Sequence, residues 1–170
     1  MPYARNLRIR PVCVRREKKM TDLNDGIRTV DAEISLVPYY PNEETALPWY
    51  QDPDVCRQVD NIDHVYTSER LNAMYTYLST HGACYYISYR GVLVGDVSLQ
   101  NSGELAIVIC REYQNRHIGR RGIRALLDLA REKGMERVTA NIYSFNTQSR
   151  NMFLTLGFRE TGGEWFALEL

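Results

Sequence analysis

The chain has 170 residues, enough for one ordinary domain, and its 44% hydrophobic and 25% charged content excludes an unfolded, solvating tail. Lys plus Arg and Asp plus Glu each number 21, so the formal net charge is zero, which argues against a nucleic-acid partner that needs many phosphates neutralised. The longest apolar run, Leu105 to Cys110, is far too short to cross a bilayer core of about 30 Å, so no membrane partner is expected.

The start, Met-Pro-Tyr-Ala-Arg-Asn-Leu-Arg, lacks the apolar core of a secretory leader. The four cysteines, Cys13, Cys56, Cys84 and Cys110, are too far apart for a CxxC pattern. A cytoplasmic protein with reduced thiols, each a small buried hydrophobe, is the expectation.

Residues 1–30 are the least regular part. Leu7-Arg8-Ile9-Arg10 and Val12-Cys13-Val14 read as strand, Arg15-Arg16-Glu17-Lys18-Lys19 as a solvated loop, and Asn24-Asp25-Gly26 as a turn. Together they suggest an N-terminal extension or extra hairpin on a single domain that spans 1–170. Ile34-Ser35-Leu36-Val37 is a strand stopped by Pro38 and Pro41. Asn42 to Val59 is a helical region broken at Pro48 and Pro53. Thr67 or Ser68 opens a helix with Leu71, Met74, Tyr75 and Leu78 on one face, ended by His81-Gly82. Three strands follow: Ala83 to Tyr89, Val92 to Leu99, and Glu104 to Cys110. A helix from about His117 to Lys133, a strand from Val138 to Tyr143 and a helix from Thr147 to Leu156 come next. Phe158 to Leu170 reads as one final strand, bent at Gly162-Gly163. That order predicts an α/β layer fold with a mixed sheet.

The segment Ala106-Ile107-Val108-Ile109-Cys110-Arg111-Glu112-Tyr113-Gln114-Asn115-Arg116-His117-Ile118-Gly119-Arg120 runs from an apolar strand through a short loop into a helix. The free N–H groups and positive dipole end of a helix start attract anions. Gly119 lets a phosphate approach the backbone, and Arg116, Arg120 and Arg121 cluster nearby, so the helix start suits a pyrophosphate. Neither GxxxxGKS/T nor GxGxxG is present. On these residues alone, a solvated basic helix start and a small nucleotide-binding module remain open.

The same segment resembles the acetyl-CoA motif of the GNAT superfamily of N-acetyltransferases, Gln/Arg-x-x-Gly-x-Gly/Ala after a strand. Gln114 takes the first place, His117 stands where the first glycine is usual, and Gly119 takes the second. Asn146-Thr147-Gln148-Ser149-Arg150-Asn151-Met152-Phe153-Leu154-Thr155-Leu156-Gly157-Phe158 resembles the family's later motif, Asn-x-x-Ser/Ala-x-x-x-Tyr/Phe-x-x-x-Gly-Phe. The resemblance covers Tyr85 to Phe158, and more loosely the chain from Ile34. It is strongest for the ribosomal-protein-alanine acetyltransferase-like branch, which modifies ribosomal-protein N-termini and related targets.

The resemblance implies a mixed, mostly antiparallel sheet with a splayed central parallel strand pair flanked by helices. It implies acetyl-CoA as co-substrate, no metal, and acetyl transfer to a primary amine of an unidentified acceptor, a peptide N-terminus or a small molecule. Carried over, Ile107, Val108 and Ile109 line the pantetheine arm, bound by strand addition. The backbone N–H groups of Gln114, Asn115, Arg116, His117, Ile118, Gly119, Arg120 and Arg121 hold the pyrophosphate, and Asn146, Ser149 and Phe153 also meet the coenzyme. Glu104 stands where many members carry a glutamate that accepts the amine's proton. Many relatives protonate the leaving thiolate from a tyrosine where this chain has Phe153, which leaves Ser149 and Tyr143 as candidates. Trp49 and Tyr50, with Asp52 and Asp54, form the candidate acceptor wall. His64, His81 and His117 have no metal-ligand spacing. A monomer or homodimer acting on acetyl-CoA and an amine is expected, with no nucleic acid. The alternative is a catalytically inactive acyl-CoA-binding regulatory or interaction protein, favoured by His117 and Phe153.

Overall fold

The computed structural model describes residues 26–170. The strands expected within Leu7–Val14, the basic cluster Arg15–Lys19 and Cys13 lie outside the described residues. In chain order the first half comprises β1 (Arg28–Thr29), β2 (Ile34–Pro38), α1 (Glu43–Ala46), a 3₁₀ turn (Leu47–Gln51), α2 (Pro53–Asp60) and α3 (Ser68–Thr80). Strands β3 (Gly82–Tyr89), β4 (Val92–Gln100) and β5 (Leu105–Ile109) lead to a second 3₁₀ turn (Arg111–Tyr113) and α4 (Ile118–Glu132). The chain ends with β6 (Arg137–Asn141), α5 (Thr147–Thr155), β7 (Arg159–Gly162) and β8 (Trp165–Glu169).

The expected single, bent final strand is instead the hairpin β7–β8. Gly162 and Gly163, at φ 129° and 59°, take backbone angles that only glycine adopts freely in succession, and so reverse the chain. Helices α2, α3 and α5 begin at Asp52, Thr67 and Asn146, whose side chains accept hydrogen bonds from first-turn amides.

Strands β1 to β5 form one antiparallel sheet in chain order, and β6, β8 and β7 form a smaller one. The two meet where β5 approaches β6, through a parallel bridge between Glu104 and Thr139 in which Thr139 N–H donates to Gly103 O at 2.9 Å. A Cβ at Gly103 would stand 2.8 Å from Arg137 O, so only glycine lets the chains come this close. Beyond that bridge no ladder joins β5 to β6. The splayed parallel pair is thus closed at one end and open at the other.

Helix α4 covers one face of the larger sheet. It buries Ile123, Leu126, Leu127 and Ala130 at i, i+3, i+4 and i+7. Each leucine buried in this way contributes about 1.5–3 kcal/mol. A Cβ at Gly122 would lie 3.4 Å from Ile87 and 3.6 Å from Val97, which marks these side chains as the floor under α4. Arg28 donates two hydrogen bonds to Glu132, at 2.9 and 2.7 Å, tying β1 to the end of α4.

The opposite face is aromatic. Tyr75 stacks on Tyr39 with centroids 4.7 Å apart and meets Tyr86 edge-on at 5.7 Å, while Trp49 meets Tyr86 at 6.0 Å. At its centre lies Asp96 of β4, only 4% exposed. Its Oδ2 accepts from the hydroxyls of Tyr50 at 2.8 Å and Tyr75 at 2.7 Å. Burial pushes the Asp96 carboxyl from 3.8 up to about 6, against the two hydrogen bonds that pull it down. Trp49 and Tyr50, expected on an acceptor wall, therefore stand in the core at 7% and 1% exposure. The Tyr50 hydroxyl is spent on Asp96, and neither residue lines either of the two clefts beside β5 and α5. Cys56, Cys84 and Cys110 are free and buried, and burial pushes the Cys110 thiol up to about 11.

Candidate active site

Beside β5, where it is no longer paired to β6, lies a cleft of about 390 Å³. Ile107, Val108 and Ile109 form one side, and the loop from Tyr113 to Gly119 with Arg120 forms a second. Asn146, Ser149 and Met152 of α5 stand opposite, and Val55, Gln58 and Val59 of α2 close over it. No Asp or Glu belongs to its lining.

The β5 edge facing this gap has peptide groups to offer. Cys110 N–H bonds across to Val94 O at 2.9 Å, so Val108 and Ala106, in the same phase of the strand, also turn their peptide groups toward β4. Ile107 and Ile109 turn theirs toward the gap. The Gln114 side chain donates to Ile109 O at 2.9 Å, leaving Ile107 N–H, Ile107 O and Ile109 N–H for an incoming amide.

Past β5, Asn115 and His117 both hold left-handed backbone, at φ 61° and 59°. His117 is where the resembled motif has glycine, and its left-handed angle is the reason glycine suits the position. The imidazole makes no capping hydrogen bond to α4. His117→Gly is expected to raise stability by about 0.5–1 kcal/mol, because relief of left-handed strain exceeds the added chain entropy of glycine. A higher urea midpoint at unchanged slope checks this; a lower midpoint would show that the imidazole makes a compensating contact.

The first bond within α4 runs from Arg121 N–H to His117 O at 3.3 Å, so the amides of Ile118, Gly119 and Arg120 have no acceptor inside the helix. Alone among the four longer helices described, α4 has no side-chain cap. A Cβ at Gly119 would stand 3.3 Å from Met152 Sδ and 3.4 Å from Ile107 Cδ1, which places this glycine at the narrowest crossing of α4, α5 and β5. Arg120 lines the cleft, and its Nε is buried without a hydrogen-bond partner. Arg116 lies 5.0 Å over the ring of Tyr113. Buried guanidinium N–H, free amides and a positive helix end make a matching receptor for a diphosphate.

Several expected residues fall elsewhere. Arg121 turns off the cleft to Asp31 and Glu33, at 3.0 and 2.9 Å, so it braces α4 against the turn before β2. Phe153 is 2% exposed and packs edge-on against Phe158 at 4.9 Å. The cleft stripe of α5 runs through Gln148, Ser149, Met152 and Thr155, and Phe153 points away from it toward the core. Glu104 forms the parallel bridge at the closed end of the strand pair and is not among the residues that line the two clefts. Tyr143 stacks on Phe145 with centroids 5.6 Å apart; burial, then Asp60 and Glu164, pushes its hydroxyl above the usual range. Ser149 and Asn146 do face the cleft, and Asn146 Oδ1 accepts from Ser149 N–H at 3.2 Å. The α2 contribution was missed, although Val55 and Val59, one helical turn apart, signal an apolar face.

The sequence matches the acetyltransferase (GNAT) domain over residues 34–159, and the chain belongs to that family. Comparison with curated proteins finds no match. Among solved structures, a GNAT-family acetyltransferase from Bacillus anthracis superposes with a TM-score of 0.72 at 16% identity, covering 85% of this chain and 98% of that one. The Salmonella typhimurium acetyl transferase that modifies the N-terminal serine of a 50S ribosomal subunit protein superposes at 0.65, with 12% identity over 85% of this chain and 99% of that one. YncA of Salmonella typhimurium, solved with its cofactor acetyl-CoA, superposes at 0.62, with 18% identity over 79% and 94%.

Proposed function

We propose that the cleft between β5 and β6 binds acetyl-CoA and that the chain passes the acetyl group to a primary amine. The observation that carries this reading is the unpaired β5 edge leading, through one short loop, to the uncapped start of α4. A pantetheine arm fits such an edge as an added strand, and the pyrophosphate fits the amides of Ile118, Gly119 and Arg120 together with Arg116 and Arg120. The apolar walls from Val55, Val59 and Met152 exclude water from the arm.

Within that frame the amine nitrogen forms a bond to the thioester carbon, the C–S bond breaks, and the nitrogen's proton is lost as the sulfur leaves. With no carboxylate in the lining, the amine enters neutral or loses its proton to solvent. Ser149 Oγ is the hydroxyl we assign to the leaving sulfur. The inactive alternative has little to stand on: His117 keeps the backbone angle that glycine would have, and Phe153 is outside the cleft, so neither change obstructs it. Among the described residues no helix is long and apolar enough to cross a membrane, and no group of three or more His, Cys, Asp or Glu could hold a metal.

Titration calorimetry with acetyl-CoA and release of free thiol on a panel of primary amines test the reading. Saturable binding with amine-dependent thiol release is the expected result. Absence of acetyl-CoA binding overturns it, and binding with no thiol release on any amine returns the inactive alternative.

A further inference from the structure

A second, more open cleft of about 660 Å³ adjoins the first and shares Gln58, Gln114 and Asn146 with it. Asn115 and Gln148, joined by a 2.8 Å hydrogen bond, stand in the lining of both. Beyond this shared rim the second cleft is lined by Asp52, Asp54, Arg57, Arg111 and Phe145. Its charges are unevenly committed. Arg111 is held by Asp52 at 3.4 Å and Asp54 at 3.0 Å, so its guanidinium is already committed. Asp60, one turn after Arg57 on α2, is engaged by Arg70 at 3.1 Å and by the Tyr66 hydroxyl.

Arg57 is different. Its guanidinium lies 5.0 Å over the Phe145 ring, and among the described residues it has no carboxylate within ion-pair reach. Phe145 is 40% exposed and is itself stacked on Tyr143, so ring and guanidinium together form a shelf at the cleft edge. A planar cation with its hydrogen-bonding edge unclaimed recognises a carboxylate through two parallel hydrogen bonds.

We propose that this second cleft admits the acceptor, and that Arg57 takes a carboxylate that the acceptor carries near its amine. The inference rests on the reading of the first cleft as the acetyl-CoA site. It narrows the acceptor to an amine with an acidic group a few bonds away, whether a free amino acid or a peptide that begins with an acidic residue. The exposed part of the Phe145 side chain favours an apolar or aromatic substituent beside that group.

Steady-state acetylation of phenylalanine, of a peptide beginning Asp-Phe, of phenylalanine amide and of phenethylamine tests this, with acetyl-CoA affinity measured on the same preparation. At least one carboxylate-bearing amine is expected to show a kcat/KM about tenfold or more above both carboxylate-free ones. Preference for the free acid identifies a small-molecule acceptor, and preference for the aspartyl peptide identifies a polypeptide; either supports the assignment. Arg57→Gln is expected to raise KM for the preferred acceptor about tenfold with a smaller change in kcat, Arg57→Lys to recover part of it, and the acetyl-CoA dissociation constant to stay as in the parent. Binding of N-acetylphenylalanine, followed by calorimetry, should weaken in the same order without any turnover. Equal use of all four amines, no use of either carboxylated one by a protein that binds acetyl-CoA, or an Arg57→Gln variant with unaltered KM overturns the acceptor assignment and leaves the coenzyme site standing. Failure to bind acetyl-CoA removes both.

Discussion

Asp96→Asn is expected to gain about 3 kcal/mol of stability relative to the parent protein between pH 4 and pH 7.5. The Asp96 carboxyl shifts from 3.8 in a free chain to about 6 in the fold, roughly two units at about 1.4 kcal/mol each. Well below pH 3.8 the group is protonated in both states and costs nothing. As pH rises through the folded value, the native protein must hold a buried charge that the unfolded chain ionised freely. A raised acid therefore removes stability on the alkaline side of its window. Asn does not titrate and still offers an oxygen to Tyr50 and Tyr75. Asp31, Glu33 and Glu43, whose carboxyls are held low by their hydrogen bonds, work in the opposite direction. They are common to both proteins and cancel in the comparison. Urea unfolding of the pair at the two pH values measures it, and a difference that does not change with pH would mean that the two tyrosine hydroxyls fully compensate the charge.

Gly119→Val is expected to weaken acetyl-CoA binding on the order of 100-fold, equivalent to about 2.7 kcal/mol, while the fold persists. The first added carbon already meets Met152 and Ile107 at the limit of contact, so two further methyl groups must displace α5 or fill the cleft. Overpacking of this kind costs about 1–3 kcal/mol, which a domain with this large a core tolerates. Gly119→Ala should fall between the two, since Met152 has rotamers to yield. Calorimetric titration with acetyl-CoA, paired with thermal melts, separates lost binding from lost fold. Parent-like affinity in the valine variant would place the coenzyme elsewhere.

The helices, and every strand but the short β1 and those of the final hairpin, were legible because hydrophobic period and turn residues agreed. The α4 stripe and the three hairpin-linked strands each carried both signals. The final hairpin was misread because Arg159–Gly162 is exposed throughout and offers no alternation. The loop and α5 start were legible through a resemblance whose glycine and asparagine have backbone reasons to be there. Side-chain direction was not legible: Arg120 and Arg121 are adjacent in sequence, yet one faces the cleft and the other an acidic turn. Trp49 and Tyr50 looked like surface chemistry because their partner, Asp96, is distant in sequence. The available clue was an acidic residue inside the otherwise apolar run Val92-Leu93-Val94-Gly95-Asp96-Val97, where a charge persists only when it is paired. The place of α2 over the cleft escaped because it depends on what the helix packs against, not on its own sequence.

The lone bridge at Glu104–Thr139 makes the β6–β8–β7 portion a semi-detached leaf, seamed to the main sheet at one stitch of backbone and otherwise by side-chain packing. An occupant lying along the β5 edge would act as a second seam. Amide protons of β6 and its neighbours should then exchange more slowly with coenzyme present, even where no atom touches it. Ligand and fold would share one cooperative unit, so that heat tolerance rises with how full the cleft is kept.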